Sequence, residues 1–234
     1  MSSKLANCDF SKAKISSADF SHADLSESDF EGAKLVGVIF RKANLKGAKL
    51  NSCKMFGAKL QEADMSGANL RDSDLSSVRL RSAILDNADL SNVSMFNADL
   101  SNASLLLSNL ETANLRSTNM PGADFNKAIL DGANLSNSRL SRANLSSASL
   151  EESNLWSARV SGSIFTKANV KAANLMATGL SKDFALGEFP DLTFSKLTAW
   201  DTAQIKRHRV SKSQAESIQK EVNKKGFFSR LFGG

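Results

Sequence analysis

Large apolar residues recur in this chain at a fixed interval of five. Every fifth residue from Leu5 to Leu180 is Leu, Phe, Met, Ile or Val, thirty-six times without a skip. Two places before each stands a small residue, Ala, Ser, Cys, Thr or Val, again at all thirty-six positions. Neither position ever carries a charge. Five residues carry an α-helix well past one turn, so residues at that interval would drift around the cylinder and form no stripe. A flat strand fails as well, because its faces alternate every two residues and five is odd. The pattern is satisfied only if the chain turns a corner once per unit. Each short extended side then points its small and large residues inward, and the corner restores the register.

Positions ending in 2 or 7 are where the corner would tighten. Gly32, Gly37, Gly47, Gly57, Gly67, Gly122, Gly132 and Gly162 all lie there, with Asn87, Asn92, Asn97 and Asn102. These residue types tolerate a left-handed backbone best. Units such as Ala68-Asn-Leu70-Arg-Asp, Ala88-Asp-Leu90-Ser-Asn and Ala143-Asn-Leu145-Ser-Ser give the register as small-(Asp/Asn)-Leu-x-x. A self-similar period of this kind decides the architecture before other signals are weighed.

On these units the chain resembles the pentapeptide-repeat proteins. The resemblance covers residues 3–182 and implies an all-β solenoid, a right-handed quadrilateral parallel β-helix with twenty residues per coil. About nine coils at the spacing of hydrogen-bonded strands would make a rod of roughly 43 Å. Phe10 would then stack under Phe30, and Phe20 under Phe40, filling the first coils. The expected organisation is a β-helix over 1–182, a C-terminal cap over 183–200, and a helical then flexible basic and aromatic tail over 201–234. Phe184, Leu186, Phe189, Leu192, Phe194, Leu197 and Trp200 fall out of register and suit a cap over the open end. Ser211 to Lys225 carries capping-box spacings and a narrow apolar face, and Gly226 ends it.

Charge and chemistry narrow the functional classes. The net charge is +6. The rod to residue 180 holds 20 Lys and Arg against 18 Asp and Glu, and the tail from Ser181 holds 10 against 6. Some members of the resembled family mimic DNA and protect gyrase from quinolones, which calls for a strongly negative rod and, in the best-known members, for loops that break the repeat. This rod is near neutral and uninterrupted, so a DNA-mimic gyrase-interacting role stands only as the alternative. Catalysis has little to rest on. His22 and His208 are far apart in sequence, and the many Ser and Asp residues are accounted for by the repeat. Cys8 and Cys53 occupy inward small positions on different walls, which makes them core residues rather than a disulfide, metal or cofactor site.

Three features point to partners. The outward position after each large residue is mostly polar or small, with seven larger apolar or Pro exceptions: Val36, Phe56, Phe96, Leu106, Pro121, Trp156 and Met176. Val36, Phe56, Phe96, Trp156 and Met176 are spaced by multiples of twenty and would form one apolar column, a candidate surface patch. Lys34, Arg41, Lys42, Lys46, Lys49, Lys54 and Lys59 occur with no Asp or Glu between Glu31 and Glu62, a candidate basic belt. With Phe56 as its one exposed aromatic, the belt is poorly suited to nucleic acid. Finally Phe227, Phe228, Arg230, Leu231 and Phe232 form a terminal cluster that suits a linear motif for a partner's groove, or a weak membrane-surface anchor aided by Lys224 and Lys225. The sequence therefore predicts a cytoplasmic, non-enzymatic adaptor whose partner is another protein, with a homodimer or a peripheral membrane contact as further options.

Overall fold

A computed structural model describes residues 3–178. The cap, the tail helix and the terminal cluster Phe227, Phe228, Arg230, Leu231 and Phe232 lie outside the described residues. Within them the chain forms a four-sided solenoid. Thirty-one single-residue β-bridges join residues twenty apart, and all are parallel. They make four walls: wall 1 from Lys4 to Ile164, wall 2 from Asp9 to Asn169, wall 3 from Lys14 to Asn174 and wall 4 from Asp19 to Arg159.

A unit that carries Asp or Asn places all its backbone donors, as Asn44 to Ala48 shows. Asn44 N–H donates to Ala23 of the coil before (2.9 Å), while Leu45 and Gly47 donate to Asp64 and Ser66 of the coil after (2.7 and 3.0 Å). Ala48 N–H closes the corner on Leu45 C=O at 3.1 Å. Lys46 N–H donates to Asn44 Oδ1 at 3.3 Å. That last bond explains the Asp or Asn of the motif. The side chain accepts the one amide that no backbone carbonyl of the neighbouring coils takes up, an Asx turn. At two units a serine stands there and an aspartate from the coil before substitutes. Asp86 Oδ1 accepts the Leu106 N–H (3.0 Å), and Asp131 Oδ1 accepts the Glu151 N–H (2.8 Å).

Thirty-five corners, at every position ending in 2 or 7 from Asn7 to Ala177, have φ between 55° and 68°. Eight are the glycines and twenty-seven are not. A left-handed third residue with a bond from the fourth amide to the first carbonyl is the signature of a type II turn.

From Ala23 onward every inward residue is buried, and the small and large positions interlock in one core. The first coil is half-buried, with Leu5, Phe10, Ile15 and Phe20 packed on that core from one side. Phe10 stacks on Phe30 at 4.7 Å and Phe20 on Phe40 at 5.4 Å, near-parallel in each case. The two stacks meet edge to face at 6.0 Å, so together they fill the whole section. Both cysteines are free. Cys53 Sγ donates to Phe30 C=O, and burial pushes its thiol up to about 12, as expected of an inert core residue.

Candidate interaction surface

With the inward positions spent on packing and the outward Asp and Asn spent on corners, what remains for function is the outer residues of corners and walls. The corner between walls 3 and 4 carries the apolar column. Val36, Phe56, Phe96, Trp156 and Met176 are between 40% and 53% exposed there, so the structure brings all five to one edge. The column is broken by Ser76, Arg116 and Ser136, and therefore forms two pairs, Val36 with Phe56 and Trp156 with Met176, on either side of Phe96. The Arg116 guanidinium lies 5.9 Å from the Phe96 ring centre, within cation–π range. Ile84, Leu107, Ile129 and Ile164 are also exposed, and they are scattered over walls 1 and 2 and the corner between them.

The basic belt is dispersed around the coil. Lys34 and Lys54 stand on wall 3, bridged in a column with Lys14, and Lys59 stands on wall 4. Arg41 and Lys42 occupy the corner between walls 4 and 1, Lys46 the corner between walls 1 and 2, and Lys49 wall 2. Carboxylates absent from the sequence interval arrive from neighbouring coils. Lys42 pairs with Glu62 (3.4 Å), Lys46 with Asp64 (3.2 Å) and Lys49 with Asp29 (3.1 Å). The twenty-residue stacking distance defeats a linear reading of charge, because the relevant neighbour is one coil away.

Several of the corner aspartates are held ionised by the same stitching. Hydrogen bonds from the Ser26 hydroxyl and amide hold the Asp24 carboxyl below the usual carboxylate range, and Ser11 does the same for Asp9. At Asp64 and Asp99 burial pushes upward, but bonds from Ser66 and Ser101 outweigh it and the net direction is again down. Among the described residues no group of three His, Cys, Asp or Glu is placed to hold a metal ion, and no helix is long and apolar enough to cross a membrane.

Comparison with known proteins agrees with this geometry. A model described as a pentapeptide repeat region matches residues 3–80, and one for eight copies of the pentapeptide repeat matches 73–111, 108–146 and 143–181. The chain belongs to the pentapeptide-repeat family. Among solved structures, HetL of Nostoc sp. strain PCC 7120, a pentapeptide-repeat protein involved in heterocyst differentiation regulation, is 27% identical, with a TM-score of 0.48 over 82% of this chain and 84% of HetL. A trypsin-treated variant of QnrB1, a plasmid-mediated fluoroquinolone resistance protein, is 20% identical, with a TM-score of 0.52 over 85% of this chain and 99% of QnrB1. That second likeness supports the fold. No curated protein sequence matches the chain.

Proposed function

We propose that this chain is a non-enzymatic, cytoplasmic interaction scaffold, a β-helical rod that holds a partner protein against its outer edge. The observation that carries this reading is the corner between walls 3 and 4, where five large apolar side chains stay about half exposed on a rod whose other outward corners are largely polar. Aromatic and Met side chains of this kind anchor protein interfaces. The outward half of each side chain adds nothing to the core and is available to a partner. The terminal cluster Phe227 to Phe232 is proposed as a second contact, used as a linear motif.

Affinity capture tests the reading with three baits: the full chain, residues 1–210, and the full chain carrying Phe96→Ser and Trp156→Ser. The expected result is one protein partner retained by the full chain and lost from the double variant, with truncation weakening capture further. Equal capture by all three baits would contradict both contacts.

A further inference from the structure

We infer that walls 3 and 4 form a docking surface for an acidic protein segment carrying apolar anchors; this rests on the scaffold reading and names the chemistry of its partner. The rod is near neutral only on average. Taking each wall with the corner that follows it, walls 3 and 4 hold 12 Lys and Arg against 4 Asp and Glu, a charge of +8. Walls 1 and 2 hold 8 against 14, a charge of −6. Seven of the rod's eight arginines are on the positive half. Arg71, the exception, pairs with Asp89 at 3.4 Å. Among the described residues Arg41, Arg79, Arg81, Arg139, Arg142 and Arg159 reach no carboxylate within 4 Å. The seventh, Arg116, lies over Phe96. Arg139 and Arg159 are bridge partners on adjacent coils, so two like charges stand on neighbouring rungs of one wall.

These cations sit beside the apolar corner in two groups. Arg41, Lys59, Arg79 and Arg81 lie at the level of Val36 and Phe56 and the coils just above. Arg159 lies at the level of Trp156, with Arg139 and Arg142 one coil below it. Phe56 and Trp156 are five coils apart, about 24 Å, the length of a helix of about 16 residues.

Four occupants are conceivable, and the charge pattern favours one. The chain's own tail is basic, 10 Lys and Arg against 6 Asp and Glu, and would be repelled. The negative half of a second copy matches in sign, but that contact is heterologous and would propagate into an open array. That half also already commits Asp29, Asp64, Asp89 and Glu151 to internal ion pairs. A nucleic-acid backbone asks for an unbroken cationic track. On wall 4 Asp99 and Asn119 interrupt the track between Arg79 and Arg139, a gap of three coils or about 14 Å. An acidic segment with aromatic or aliphatic anchors suits two cation groups, each beside an apolar pair. Planar guanidinium groups bind carboxylates in bidentate fashion.

The probe is a 20-residue synthetic peptide of Asp and Glu with Leu and Phe at helical spacing. It is compared with its Asn/Gln analogue, a thymidine 20-mer and a 20-base-pair duplex, all against the full chain at low salt. The acidic peptide should bind best and its amide analogue hardly at all. Arg79→Gln, Arg139→Gln and Arg159→Gln together should weaken binding about tenfold without moving the thermal melt, since all three side chains are exposed. Lys12→Glu with Lys127→Glu, on the other half, should leave binding intact. Tighter binding of either DNA, absence of peptide binding, or salt-sensitive self-association in light scattering each overturns the assignment. If Phe96→Ser with Trp156→Ser abolishes peptide binding while the arginine variant binds normally, the scaffold reading survives and this inference fails. If neither set matters, both fall.

Discussion

At the residue scale the corner decides most of what the sequence must supply. Gly, Asn and Ser at positions ending in 2 or 7 made the left-handed backbone legible. What could not be read is that Thr112, Leu107, Lys42 and Glu62 adopt it too, because in those units the inter-coil bonds dictate the conformation against the residue's preference. Gly57 shows the backbone cost alone, since a methyl group added there would meet nothing within 4 Å. Gly57→Ala should therefore destabilise by about 1 kcal/mol through the left-handed penalty. Ser52→Gly, at an exposed corner with φ 57°, should be stabilising by a few tenths of a kcal/mol, the relief of strain less the entropy glycine gains on unfolding. Denaturant melts of both variants check the signs. Ser138 is a separate case. Buried inward hydroxyls such as those of Ser108 and Ser73 donate to the carbonyl of a large residue in their own coil or the one before, whereas Ser138 Oγ is buried with no partner. Ser138→Ala should raise stability by up to about 1 kcal/mol, and Ser108→Ala should lower it by a similar amount. Equal effects would show that the two hydroxyls share one environment.

At the scale of the coil, periodicity carried nearly everything. A five-residue period with an inward pair per unit required one corner per unit, and the resemblance to the pentapeptide-repeat proteins implied four units per coil and with them the stacking of Phe10 on Phe30. The hydrogen bonds of Asp86 and Asp131 escaped, because each acts on a unit twenty residues later and looks like an ordinary corner residue. Leu100 is fully buried mid-stack, and Leu100→Asp should unfold the rod cooperatively by leaving a carboxylate unpaired in the core. A circular dichroism melt unchanged from the parent would refute the inward assignment. The Asx aspartates also set the acid limit. Asp9, Asp24, Asp64 and Asp99 have their folded values lowered, so their stabilisation is complete above the unfolded value of about 3.9 and is lost as pH falls through the folded values. The melting temperature should be level from pH 8 to 5 and drop below about pH 4. A loss beginning near pH 6 would implicate a histidine instead.

At the scale of the molecule, the exposed apolar column was legible because its spacing is a multiple of the coil. The charge pattern was not. A run of Lys between Glu31 and Glu62 suggested a belt, yet stacking brought Asp29, Glu62 and Asp64 to three of its members and gathered distant arginines onto walls 3 and 4. Charge on a solenoid has to be counted down the columns. A partner protein held along the corner between walls 3 and 4 should be captured there by site-specific photo-crosslinking in cells. A benzoylphenylalanine replacing Phe96 should give a discrete adduct with one partner, and the same group replacing Ser146, on the opposite corner, should give none. Adducts of equal yield from both positions, or from Ser146 alone, would contradict the account.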